Sequence, residues 1–118
     1  MFKDPAGIGA YHAHVYFDSP ETRALAAQLR AGVAADFPDA RLGSWHEQPV
    51  GPHTRPMYQI LFSADRLAAL LPWLMLNHGG LSILLHPESG DDYADHAEHA
   101  AWLGPPLPLL LDILKRAQ

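Results

Sequence analysis

The sequence predicts an α+β fold of the ferredoxin-like type, an antiparallel sheet with helices on one face and a short C-terminal extension. Three observations carry that expectation. Four short segments are apolar or alternate at period two, as strands do. Two longer segments between the first and second and between the third and fourth of these repeat their apolar residues at helical spacing. The chain of 118 residues, 48% hydrophobic, suits one domain over residues 1–118 with a single core. The resulting order, β-α-β-β-α-β, is the split βαβ pattern.

Residues 10–17 form the first strand, with Tyr11, Ala13, Val15 and Phe17 on one face and His12 and His14 on the other. Asp18-Ser19-Pro20-Glu21 starts a helix: a capping side chain, a proline in the first turn and an early acid. That helix runs to about Ala35 with Leu25, Leu29 and Val33 as its buried stripe, and Phe37-Pro38-Asp39 ends it. Residues 41–47 suggest a second strand and 57–62 a third, joined by a loop rich in proline and glycine. Ser63 is placed to cap a second helix through Leu67, Leu70, Leu71 and Leu74, ended by Asn77-His78-Gly79-Gly80. Pro72 removes a donor inside it and should kink it or split it in two. His78 serves the end of that helix. Residues 81–86 are a fourth strand stopped by Pro87, and Asp92 to Trp102 a third helix. Leu107 to Leu111 reads either as a fifth strand or as the start of a C-terminal helix.

Composition narrows the function. A net charge of −5, with only eight Lys and Arg, argues against nucleic acid as the main partner. The absence of cysteine excludes disulfides, thiolate zinc sites, iron–sulfur clusters and a thiol nucleophile. The apolar run from Leu67 to Leu76 falls short of the roughly 20 residues that cross a bilayer. The N-terminal residues lack the apolar core of a secretory signal, so a cytoplasmic location is expected. Histidine is the outlier, eight residues, as many as Lys and Arg together.

The spacing of those histidines suggests a metal centre. His12 and His14 share a sheet face, and His86 follows Ser82 and Leu84 at period two. With strand order 4-1-3-2, the fourth strand lies antiparallel beside the first and brings His86 to His12. Three imidazoles from neighbouring strands suit Fe(II), Zn(II) or Mn(II), with positions left for water or substrate. The same spacing is compatible with hydrogen-bonded or solvent-facing histidines. His96 and His99, among Asp92, Asp95 and Glu98, read as a solvated charged face. His46 shares the outward face if Leu42, Ser44 and His46 alternate outward, and His53 sits on a loop held by rigid neighbours. Trp45, Trp73 and Trp102 read as core or subunit-contact residues.

Three blocks, YHAHVYF, WHEQPVGPHTRPMYQILF and NHGGLSILLHPESGDDYADHAEHAAWLG, together resemble the DOPA 4,5-dioxygenase family over roughly residues 10–112. The positions that match are His12 and His14, then Gly51, Pro52 and His53, then His86, Pro87, Gly90, Asp91, Asp95, His96 and His99. Thr54-Arg55 stands before Pro56, where the family often has proline directly after the histidine. The resemblance implies a ferredoxin-like subunit and extradiol cleavage of a catechol, with both atoms of O2 entering the substrate. On that footing His12, His14 and His86 are the candidate metal ligands, with Glu47, Glu88 or Asp91 available as a carboxylate. His53 is the first candidate base for a catechol proton and His46 the second. Arg55 and Tyr16 are the candidate substrate contacts, the guanidinium being suited to a substrate carboxylate. A homodimer is expected, since an open sheet face is commonly completed by a symmetric partner. Two other classes fit the same scaffold, a non-catalytic metal- or ligand-binding module and a metal-free structural or interaction domain.

Overall fold

The sheet is antiparallel, with strand order β2-β3-β1-β4-β5, in a computed structural model that describes residues 1–115. Its strands are β1 (Ala10–Tyr16), β2 (Arg41–Leu42), β3 (Met57–Ser63), β4 (Ile83–Pro87) and β5 (Ala101–Leu103). Its helices are α1 (Pro20–Asp36), α2 (Leu67–Asn77), α3 (Asp92–Ala97) and α4 (Asp112–Lys115). The α+β class is as expected, and the inner order β4-β1-β3-β2 is the expected one with β5 added outside β4. The last three residues of the expected domain lie outside the described residues.

Ser19 and Thr22 form the reciprocal cap that starts α1, with Pro20 in its first turn. The buried stripe is Ala26, Leu29 and Val33, and Leu25 is partly exposed beside Gly79. α1 and α2 cover one face of the sheet, where Leu29, Val33, Leu70 and Leu74 pack on Ala13, Val15, Ile60 and Ile83. The Tyr58 hydroxyl donates to the Ala26 carbonyl at 2.9 Å and ties α1 to β3 inside this core.

Four expectations change. β2 stops at Leu42, which packs into the helix-side core rather than outward. Trp45 follows it there, stacked on Phe17 and Tyr58, and His46 then returns to pair with Met57. α2 is one helix despite Pro72, because Leu70 and Leu74 anchor it on both sides of the proline, and the carbonyl that loses its donor belongs to exposed Ala68. Ser63 ends β3 and donates to the Asp65 carboxylate instead of capping α2. α3 ends at Ala97, so Trp102 lies in β5 beside β4.

The second face of the sheet carries a smaller apolar cluster of Tyr16, Met57 and Leu84, packed with Trp102, Leu107 and Leu109. The tail that supplies those leucines is neither of the expected alternatives over 107–111. Leu109 bridges His53, the Leu110 amide donates to the Pro52 carbonyl, and the Thr54 hydroxyl donates to the Pro108 carbonyl. The tail therefore clamps the proline-rich loop against the sheet. Among the described residues no helix is long and apolar enough to cross a membrane.

Candidate metal centre

Period-two geometry puts His12, His14 and Tyr16 on the face away from the α1–α2 layer, and the register sets His12 directly opposite His86 on β4. His14 and His86 are buried, and their Nε2 atoms stand 3.0 Å apart. Two nitrogens bound to one ion at about 2.1 Å and at right angles would be separated by about 3 Å. The donor atoms of His12, His14 and His86 all lie within 4.8 Å of one another, and so do those of His14, His53 and His96. An all-imidazole set of this kind suits Zn, Cu, Fe or Ni. His14 Nδ1 is buried with no hydrogen-bond partner among the described residues, a polar atom that the protein alone leaves unsatisfied.

The histidines line a cavity of about 270 Å³ together with Gln59, Glu88, Asp92, Asp95 and Leu114. Burial, reinforced by the neighbouring imidazoles, holds His14 well below the ordinary histidine range. Burial and the imidazoles of His96, His86 and His46 lower His53 to about 4. Burial likewise lowers His86 to about 4, against the raising effect of its hydrogen bond to Pro87. All three are neutral at pH 7, the form that ligates metal.

Outside the imidazoles stands a ring of oriented partners. The His86 Nδ1–H donates to the Pro87 carbonyl and the His96 Nδ1–H to the Asp92 carbonyl, both at 2.8 Å. Fixing the far nitrogen in this way turns the near one toward the cavity as a lone pair. His12 Nε2 lies 3.0 Å from a Glu88 carboxylate oxygen. Asp95 is buried, and burial alone would raise its pKa. The Ser89 hydroxyl and amide and His99 Nδ1 donate to its carboxylate and hold it below the usual range.

Several candidates from the sequence separate here. His12, His14, His86 and His53 converge on the cavity. His46 lies on the same face and lowers the His53 pKa, but it does not line the cavity. Of the three carboxylates, only Glu88 reaches it. Glu47 pairs with Arg23 and the Trp45 indole, and Asp91 caps α3. Arg55 lines a different cavity of about 260 Å³ with Tyr16, Asp18 and Ser82, and its Nε sits 3.8 Å from the Asp18 carboxylate. The Tyr16 hydroxyl is 2.7 Å from His53 Nδ1.

Reading the residues alone as a charged face missed His96 and Asp95. His96 is half-buried with its ring centroid 4.1 Å from that of His86. The signal for it is the connection: Glu88–Asp91 alone separates β4 from α3, too short to carry the helix away from the end of the strand.

A family model described as the Dopa 4,5-dioxygenase family matches residues 11–113. A 21.2 kDa uncharacterized protein of Botryotinia fuckeliana is 37% identical over 98% of this chain and 70% of its own length. A DOPA 4,5-dioxygenase of Amanita muscaria is 32% identical over 88% of this chain, which spans about half (49%) of that relative. A crystal structure from Nostoc punctiforme, described as a "putative dioxygenase", superposes with a TM-score of 0.95 at 44% identity, covering 99% of this chain and all of that one.

Proposed function

This chain belongs to the Dopa 4,5-dioxygenase family, and from that premise we propose that it holds Fe(II) on His12, His14 and His86 and uses O2 to open a catechol ring beside its two hydroxyls. DOPA or a related dihydroxyaromatic is the substrate. The observation that carries the reading is the 3.0 Å approach of two buried, neutral Nε2 atoms, on His14 and His86, within a histidine-lined cavity. Zn(II) has no redox chemistry to offer this reaction, and Mn(II) prefers oxygen donors to an all-imidazole set. Bound iron would supply the electronic path between an electron-rich ring and O2, with positions left open to both.

The chain's own residues do the remaining work. Buried imidazoles that stay neutral hold a cation without competition from protons until the medium is well below pH 6. A catechol must give up a proton to bind as an anion. Glu88, paired with His12 and exposed at the mouth, is placed to receive it, and His53 lies deeper as a second proton-handling group. Among the described residues the lining includes Glu88, Asp92 and Asp95 but no Lys or Arg, so the mouth favours a substrate tail bearing an ammonium group. For an amino-acid catechol, this reading puts the amine rather than the carboxylate at the entrance. Arg55 is thereby left to its own cavity.

The test is oxygen uptake by anaerobically iron-loaded protein given DOPA. The expected result is equimolar loss of O2 and catechol with a yellow ring-opened product. Stoichiometric iron binding without oxygen uptake across a panel of catechols would make the chain a metal-binding module instead. The reading includes a cytoplasmic homodimer, for which light scattering should give twice the monomer mass.

A further inference from the structure

We infer that Tyr16 fixes the proton of His53 on Nε2, so that His53 faces the metal cavity as an N–H donor while His86 and His96 face it as bare nitrogens. The assignment follows from counting donors and acceptors. The Tyr16 side chain is buried, stacked on Trp102 and packed in the cluster with Met57 and Leu84. Its hydroxyl has His53 Nδ1 as its hydrogen-bond partner, at 2.7 Å.

Two orientations of that bond are possible. If the phenol donates, its proton and the Nδ1 lone pair are both satisfied. If Nδ1–H donates, the phenolic proton is left buried without an acceptor among the described residues, which is the costlier arrangement. A neutral imidazole carries one N–H, and with Nδ1 accepting, that N–H is at Nε2.

The other two rings are fixed the opposite way. The Pro87 and Asp92 carbonyls can only accept, so His86 and His96 carry their protons on Nδ1 and turn a lone pair inward. The cluster is thus divided by chemistry. Its lone pairs suit a cation, and the His53 N–H suits an oxygen that is gaining negative charge.

This separates the two possible triads. A site built on His14, His53 and His96 would need the Nε2 lone pair that Tyr16 withholds, whereas His14 and His86 need no such change at His86. It also revises the part assigned to His53 in the reaction. In this tautomer it presents a proton to the substrate's oxygens, and Tyr16 acts through it as a positioning residue. That consequence for catalysis rests on the dioxygenase reading, but the tautomer itself does not.

The test is long-range ¹H–¹⁵N correlation of the imidazoles in metal-free protein near neutral pH, with signals assigned by their loss in His53→Gln and His86→Gln. The expected pattern is Nε2–H for His53 and Nδ1–H for His86. In Tyr16→Phe, which keeps the ring packing, His53 should move to a mixture of tautomers or to Nδ1–H while His86 stays unchanged. In the iron-loaded protein the same variant should lower kcat about 10- to 100-fold with iron affinity unchanged. His53 carrying its proton on Nδ1 in the wild type would overturn the inference, as would an unaltered His53 pattern in Tyr16→Phe. If Tyr16→Phe does not fold, the wild-type spectrum decides alone. Absence of oxygen uptake by iron-loaded wild type would remove the dioxygenase reading and leave the tautomer result standing.

Discussion

Asp95 sits in a run of charges, DDYADHAEH, that reads as a solvated helix face, yet it is one of the most deeply buried side chains of the protein. The run does not reveal that Ser89, six residues earlier, donates twice to its carboxylate and that His99 donates once. Those bonds offset the cost of burying the charge and anchor α3 so that His96 stays over His86. His12, His14 and His86 were legible because alternation along a strand needs only local geometry and a correct neighbour. His96 and Asp95 depend on a tertiary closure that composition disguises. Asp95→Asn, which keeps the shape but turns one acceptor into a donor facing donors, should cost about 2–3 kcal/mol in urea unfolding. An effect below about 0.5 kcal/mol would mean the network is a surface feature.

Among the elements, β1, α1, β3 and β4 matched their sequence patterns within a residue or two, because capping and apolar period agree in each. β2, α3 and the tail departed where packing outweighs local pattern. The 41–47 segment alternates, but Trp45 gains more between Phe17 and Tyr58 than a regular ladder offers. β5 replaces the end of the expected third helix because Trp102 finds Tyr16 on the second face of the sheet. Gly104 then turns the chain into the tail that clamps the His53 loop. It has φ +69°, and a Cβ there would collide with the Leu81 carbonyl oxygen. Gly104→Ala should therefore destabilise the protein by about 2 kcal/mol or more in urea unfolding. It should also speed hydrogen exchange at the Leu110 amide, which the tail docks on Pro52. Wild-type stability and exchange in that variant would show that the turn is not required.

For the whole molecule, the sheet divides its labour by face. One side is closed by α1 and α2 into the main core, and the other holds a small apolar cluster next to the histidine-lined cavity. Fold class and inner strand order could be read from the sequence, whereas the covering of the second face by the tail could not, since it is made by single backbone contacts rather than by a repeating pattern. Burying uncharged histidines links stability to pH. His14, His53 and His86 are depressed in the folded state, so below the ordinary histidine value near 6.5 the unfolded chain takes up protons that the folded one refuses. Their contribution is fully present above about pH 6.5 and is lost as the pH falls toward about 4, with a slope approaching about 1.4 kcal/mol per pH unit for each proton. Metal-free protein should thus lose stability steeply between about pH 6 and 4, and His53→Gln should flatten the dependence. A flat profile across that window would contradict the buried, neutral state of the cluster.

In the proposed function, strands β1 and β4 bring their histidines together to hold iron. Anaerobic Fe(II) titration of the wild type beside His12→Ala, His14→Ala, His86→Ala and, as a control remote from the cavity, His78→Ala tests it most directly. The expected result is one tight equivalent in the wild type and in His78→Ala, and a loss of more than about 100-fold in affinity in His14→Ala and His86→Ala, with His12→Ala also weakened. Variants at positions 12, 14 and 86 that bind iron as the wild type does would contradict it.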